Sequence, residues 1–253
     1  MPRTMLSDEL WSKHREIMRQ FNIYDKPGLR MAVEGVLFRI RVGCPWRDLP
    51  EAFGKWNSVY KKFNQWSKNG IWLKLFQSLT SDPDTEWMFI DGSYVKAHQH
   101  SAGAAGDEPQ AIGKSRAGNT SKIHLAVDAY GLPIRFRITG GEVNDCTAAP
   151  ELIAYLPDGQ IVVGDKGYDS EALRQQIADR GMTSVIPRKK NSKRGNEGLD
   201  WPLYKYRHLV ENAFCRLKQY RGLATRYDKL GRNYESVVAI MCAHNYESVC
   251  HIW

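Results

Sequence analysis

The sequence predicts an α/β protein, a mixed sheet flanked by helices, with an all-helical region in front of it. Three observations carry this. Apolar residues recur at helical spacing through the first 80 residues. From "EWMFIDGSYVKAH" onward, short apolar runs and alternating patterns replace that spacing. The later order, strand, hairpin, helix, strand, helix, strand, helix, needs a sheet with helices packed on it. The polar stretch "SDPDTE" (81–86) marks the boundary, giving domains over 1–82 and 83–253.

Each element has a local cause. Ser7 is placed to cap a first helix, with Asp8 and Glu9 in its first turn and Leu10, Trp11, Ile17, Met18 and Phe21 on one side. "YDKPG" interrupts it. Leu29, Val33, Val36, Leu37 and Ile40 form a second stripe, ended by Gly43 and Pro45. "WRDLPEAFGKWNSVYKKFNQWSKNG" carries two short helical patterns joined near Gly54. Its second half mixes Val59, Tyr60, Phe63 and Trp66 with Lys55, Lys61 and Lys62, which fits a helix-turn-helix or a small helical bundle. "SKIHLAVDAYGLPIRFRITG" reads as two strands around Tyr130-Gly131. "TAAPELIAYLP" is a short helix, "QIVVGDKGYDS" a strand, "SEALRQQIADRG" a helix capped by Ser170 and closed by Gly181, and "MTSVIPRKK" a strand. The glycine-rich segment from about 100 to 121 reads as a mobile loop.

Charge is unevenly spread. The net charge is +8, yet residues 1–80 hold 14 basic against 7 acidic residues, 81–186 hold 9 against 15, and 187–232 hold 13 against 4. An acidic centre between basic flanks suits a centre that binds cations and flanks that bind phosphates; the bland alternative is a solvated surface. Five scattered cysteines without a CxxC pair argue against a zinc ribbon. Their odd number, with no apolar signal core and no run long enough to cross a bilayer, points to the cytoplasm.

Two apolar runs each carry one acid followed closely by glycine, Asp91 in "MFIDGS" and Asp165 in "VVGDKGY". An acid at the end of a buried strand is costly unless paired or coordinated. A third carboxylate, Glu211, lies in "YKYRHLVENAFCRLKQYRG" (204–222), which reads as a helix. At about 100° per residue, Tyr204, Arg207, Glu211 and Lys218 sit at roughly 0°, −60°, −20° and −40°, opposite an apolar stripe of Leu209, Val210, Ala213 and Leu217. Three oxygen-donor acids suit hard divalent ions, and a pair of such ions can serve phosphodiester chemistry. Arg207 and Lys218 would then hold DNA backbone. An exposed helix with salt bridges along one face gives the same spacing.

These words resemble a known family. "WRDLPEAFGKWNSVYKKF", "FIDGSYVKAHQ", "GNTSKIHLAVDAYGLP", "GEVND", "VVGDKGYDS" and "YRHLVENAFCRLKQYRGLATRYDK" are similar to the DDE transposases of bacterial insertion sequences, in the branch named after insertion sequence five. Tyr204, Arg207, Glu211 and Lys218 fit the family's Tyr-x-x-Arg-x-x-x-Glu-x-x-x-x-x-x-Lys signature.

The resemblance implies an RNase H-like catalytic core over 83–253 and a helical DNA-binding and assembly domain over 1–82. It implies that Asp91, Asp165 and Glu211 are catalytic and hold two Mg²⁺ or Mn²⁺ ions, and that the protein cuts DNA at terminal inverted repeats and joins the 3′-OH ends to target DNA. Double-stranded DNA is the expected partner, bound through Tyr204, Arg207, Lys218, Lys61, Lys62, Arg188, Lys189 and Lys190. A homodimer or larger assembly on nucleoid DNA is expected, since two ends are cut in one event. Asp145 in "GEVND" is either an accessory acid or a helix N-cap. Asp128 reads as a turn residue, and His98 and His100 as outside the site. A metal-dependent nuclease without strand transfer and a non-catalytic DNA-binding derivative are the rival readings.

Overall fold

The computed structural model describes residues 3–102, 109–192 and 194–250. The chain forms two compact units, one of Met1–Ser81, His98–Gln110 and Leu217–Trp253, the other of Asp82–Ala97 and Ala111–Arg216.

The first unit is helical. It opens with α1 (Asp8–Gln20), α2 (Leu29–Val42), α3 (Trp56–Lys68) and α4 (Ile71–Leu79). Ser7 caps α1, its side chain accepting from the Leu10 amide at 3.2 Å. Leu10, Trp11 and Met18 are buried as expected, and so is His14. Of the two patterns expected on either side of Gly54, the first is a pair of 3-10 turns, Trp46–Asp48 and Glu51–Phe53. Pro45 and Pro50 stand just before them and deny the segment the amides a longer helix would need. α3 buries Val59, Phe63 and Trp66, so its aromatic stripe serves the unit's core.

The second unit holds the mixed sheet. Its strands are β1 (Trp87–Ala97), β2 (Gly113–Ser115), β3 (Gly118–Val127), β4 (Pro133–Gly140), β5 (Ile161–Gly164) and β6 (Thr183–Val185). β3 pairs antiparallel with β1, with β2 and with β4, while β1, β5 and β6 run parallel. Helices α5 (Asp145–Ala154) and α6 (Glu171–Asp179) flank it, α5 packing against β3 and β4 and α6 against α5 and β6. The core is apolar at Met88, Phe89, Ile90, Ile123, Leu125, Val127, Val162 and Val163, all buried.

Three sequence expectations change here. β1 covers the strand read in "EWMFIDGSYVKAH", so Asp91 lies within it and not at its end. Its pairing with β5 stops at Ile90, but it continues to Ala97 along β3, with Val95 and Ala97 inward and Tyr94 and Lys96 outward. The segment read as a loop holds a 3-10 turn at Gln99–Ser101, strand β2 and the start of β3, and residues 103–108 lie outside the described residues. The helix expected over 204–222 is broken into α7 (Trp201–Tyr204), a 3-10 turn at Lys205–Arg207, α8 (His208–Lys218) and α9 (Arg221–Ala224). Pro202 starts α7, and the tighter 3-10 turn shifts Tyr204 and Arg207 relative to α8.

The first unit is completed by α9 and α10 (Gly231–Cys250). α10 packs on α3 and α4 and buries Tyr234, Val237, Val238 and Met241. No helix among the described residues is long and apolar enough to cross a membrane.

Candidate active site

Parallel pairing puts two acids side by side. The last paired residues of β1 and β5 are Ile90 and Gly164, so Asp91 and Asp165 follow at the same level on neighbouring strands. Asp165 then leaves the sheet and caps a 3-10 turn, its Oδ1 accepting from the Gly167 amide at 2.7 Å. Asp91 Oδ1 accepts from the Gly92 amide at 2.8 Å, and its Oδ2 accepts from Arg207 Nη1 at 3.2 Å.

Arg207 Nη2 in turn donates to Glu211 Oε1, one turn along α8. The guanidinium therefore joins Asp91 to Glu211. Glu211 is about half exposed, its side chain 48 % accessible against 21 % for Asp91. Burial tends to lower the Arg207 pKa, but Asp91 and Glu211 outweigh it and raise it. For Asp91 burial wins. Desolvation raises its pKa, helped by the charges of Asp165 and Asp145 and opposed by the Gly92 amide and Arg207.

A fourth carboxylate stands beside this group. Asp145 is the first residue of α5, and Asn144, not Asp145, holds the N-cap position. The Asp145 carboxylate accepts from Lys122 Nζ at 2.7 Å and from Tyr168 Oη at 3.4 Å, and lies 3.3 Å from His124 Nδ1. Burial would raise its pKa, yet His124 and Lys122 prevail and hold it below the ordinary value. It presses against the β1 backbone, since a Cβ on Gly92 would overlap its carboxylate. The fully buried Tyr168 phenol feels the charges of Asp145, Asp91 and Asp165 and, with burial the main cause, has its pKa raised well above normal.

Lys122, His124 and Tyr168 are the neighbours that sequence reasoning missed. Lys122 and His124 are 3 % and 0 % exposed. Their signal was present: two cationic residue types two apart in β3, on one face of a strand flanked by apolar residues.

The remaining candidates are placed as follows. Tyr204 is half-buried and meets Trp201 edge-on, ring centroids 5.6 Å apart. Arg188 is taken by carboxylates, donating to Glu171 and lying 3.6 Å from Asp169, while Lys189 and Lys190 are exposed. Lys218 closes α8. In the helical unit Lys61 is exposed, and Lys62 lies over the Trp66 ring at 5.5 Å. Asp128 is a turn residue, its Oδ1 accepting from the Tyr130 and Leu132 amides at 3.0 and 2.9 Å. His98 caps the Gln99–Ser101 turn.

The donor set fits a hard divalent ion in kind, being three carboxylates with Asp91 short of compensating charge. In the described residues no three His, Cys, Asp or Glu side chains stand close enough to share one ion as they are placed. The positive group between Asp91 and Glu211 is Arg207. Binding an ion to both acids requires that guanidinium to turn aside.

Comparison with known proteins agrees with this architecture. Residues 82–246 match the family model described as "Transposase DDE domain", and residues 6–76 match "Putative transposase of IS4/5 family". The chain is 36 % identical over 124 residues to a Brucella ovis protein named "Putative transposase for insertion sequence element IS6501", covering 49 % of this chain and 95 % of that one. It is 30 % identical over 145 residues to a Burkholderia cepacia protein named "Putative transposase for insertion sequence element IS402", covering 53 % and 65 %. Among solved structures, a piggyBac transposase synaptic complex with hairpin DNA superposes with a TM-score of 0.53 at 11 % identity, over 98 % of this chain and 73 % of that one. The shared fold is the RNase H-like one. With the DDE model matching well over half of its length, the chain belongs to the DDE transposase family of insertion sequences.

Proposed function

We propose that this transposase cuts DNA at the terminal inverted repeats of its insertion sequence and joins the freed 3′-OH ends to target DNA. Asp91, Asp165 and Glu211 are the acting carboxylates. The observation that carries the reading is the level placement of Asp91 and Asp165 on adjacent parallel strands, with Glu211 tied to Asp91 through Arg207.

Dependence on a divalent metal is general among DDE transposases. Here Asp91, Asp165 and Glu211 would hold Mg²⁺ or Mn²⁺. Bound there, two such ions supply activation of the attacking oxygen and stabilisation of the leaving 3′ oxygen.

The protein groups do the rest. The sheet fixes Asp91 within β1 and Asp165 directly after the end of β5, so their separation is set before substrate arrives. Asp145, locked by Lys122 and His124, supports the backbone at Gly92 and adds negative charge beside Asp91. Arg207 balances Asp91 and Glu211 as the protein stands, and with ions held by those acids it would be free to pair with DNA backbone. In each cut, water attacks phosphorus in line and the P–O3′ bond breaks. In joining, the 3′ hydroxyl attacks instead, and no covalent enzyme intermediate is needed. Lys218, Tyr204, Lys189, Lys190 and Lys61 supply further DNA contacts, Arg188 joins them once released from Glu171, and two copies act together on paired ends.

The test is strand transfer of pre-cut oligonucleotides carrying the repeats that flank the gene, with a target plasmid and Mg²⁺. Joined products that vanish with Asp165→Asn are expected. Cutting without joining would make the protein a nuclease, and a fully active Asp165→Asn protein would refute the assignment of the acids.

A further inference from the structure

The helical unit carries a cavity of about 180 Å³ walled by the start of α2, the turn at Gly54 and the first two turns of α3. Lys26, Lys55 and Lys62 all line it, with the Ser58 hydroxyl, and no acidic residue does. No carboxylate forms an ion pair with any of these three lysines among the described residues. Asp25, next in the chain to Lys26, is turned to Arg15 at 3.5 Å. Lys62 is half-buried, and its pKa is lowered by desolvation and then by Lys26, so two of the ammonium groups repel one another with no anion between them.

The walls favour an anion too. α2 and α3, 14 and 13 residues long, both begin here without a side-chain cap. Gly28 and Gly54 have φ of +82° and +98°, and a Cβ at either would meet nothing within 4 Å, so the mouth stays open. Three lysines without a carboxylate partner around this open, largely apolar-walled cavity favour an anionic group.

We propose that this cavity is a docking point for one backbone phosphate of duplex DNA, held by Lys26, Lys55 and Lys62. The inference rests on the DNA-processing function proposed above. It adds an anchor in the helical unit that reads no bases but sets where the duplex lies.

The test uses the full-length protein in EDTA, so that metal chemistry plays no part. Binding of a fluorescent 30-base-pair duplex is followed by anisotropy from 50 to 300 mM NaCl. The pocket variant is Lys26→Gln/Lys62→Gln, and the charge-matched control is Lys13→Gln/Lys68→Gln. A third variant, Ser58→Glu, puts a carboxylate in the cavity at an exposed position of the first turn of α3, where an acid favours the helix. Losing one neutralised phosphate should reduce the salt slope by about 1 and weaken binding roughly tenfold near 100 mM salt. The pocket variant and Ser58→Glu should show this with unchanged circular dichroism, and the control should not. Equal slopes for pocket and control variants overturn the proposal. So does a result in which inorganic phosphate raises the wild-type melting temperature through these lysines while DNA binding ignores them, because the site then takes a free anion only. Strand transfer with an unaffected salt slope removes the pocket and keeps the function. A pocket-dependent slope without strand transfer does the reverse.

Discussion

Asp91 and Asp145 lie on either side of the Gly92 backbone, and their surroundings differ in a way that separates two uses of a buried acid. Asp145 has its own partners: Lys122 and His124 more than offset its burial, and its pKa falls. Asp91 has a single shared guanidinium, burial prevails, and its pKa rises. An acid compensated within its own unit is finished structure. An acid left short of positive charge, next to a second one on the neighbouring strand, is suited to receive a cation from outside. Asp145 therefore acts as a brace and Asp91 as a ligand in this account.

The largest effect that could break this comparison is on the reaction. Asp91→Asn or Asp165→Asn should lower strand transfer by at least about 10³-fold, the loss of several kcal/mol of charge stabilisation. Gel-resolved joining of pre-cut ends measures it. A loss of similar size in Asp145→Asn with an unchanged melting temperature would make Asp145 a participant and not a brace.

Next is the brace itself. Lys122→Met leaves the Asp145 carboxylate without its nearest cation, which should destabilise by roughly 3 kcal/mol and lower the melting temperature by roughly 6–10 °C. Calorimetry in EDTA checks this. No change would mean that Lys122 does not compensate Asp145.

Asp128 provides a control of intermediate size. Its carboxyl is pushed up to about 6 by burial, although two amides donate to it. A raised folded pKa means that its stabilising contribution is complete below about 3.8, the unfolded value, and is lost as pH rises through 6. Asp128→Asn should thus stabilise the protein at pH 7, on the order of 2 kcal/mol, and be neutral near pH 3.5. Denaturant titrations at the two pH values decide it.

The smallest and most discriminating effect is a difference in sign. Asp145, with a depressed pKa, contributes stability above its unfolded pKa that is lost as pH falls through the folded value. Asp91, with a raised pKa, does the opposite. In metal-free protein Asp145→Asn should therefore lower the melting temperature at pH 7 and Asp91→Asn should raise it. Both differences should close in acid. Shifts of the same sign would show that the two acids are not distinguished by their partners.

Much of this was legible in the residues. The strand order, the Tyr130-Gly131 turn, the Ser7 and Ser170 caps and the acids Asp91 and Asp165 each have a local cause that spacing or turn chemistry exposes. Other features depend on pairing across the fold. β1 covers the strand read in "EWMFIDGSYVKAH", but its pairing partners change at Asp91, from β5 and β3 to β3 alone, which spacing does not reveal. β2 is only three residues long and is held by β3. Helical periodicity showed that Arg207 and Glu211 point the same way, but not that Arg207 would reach Asp91. Lys122 and His124 look like outward residues of an alternating strand until α5 places Asp145 over them. α10 has a weak helical stripe because it is buried on nearly all sides, polar Asn233, Ser236, Asn245 and Glu247 included, and its partners α3 and α4 lie far away in sequence.

The central claim is that Asp91, Asp165 and Glu211 act as one cation-holding cluster from which Asp145 stands apart. Calorimetric titration of Mn²⁺ into wild-type protein, Asp91→Asn, Asp165→Asn, Glu211→Gln and Asp145→Asn tests it most directly. At least roughly tenfold weaker Mn²⁺ binding is expected for each of the first three variants, as for the loss of one ligand's worth of charge, with little change for Asp145→Asn. Wild-type affinity in any of the first three, or an equal loss in Asp145→Asn, would contradict it.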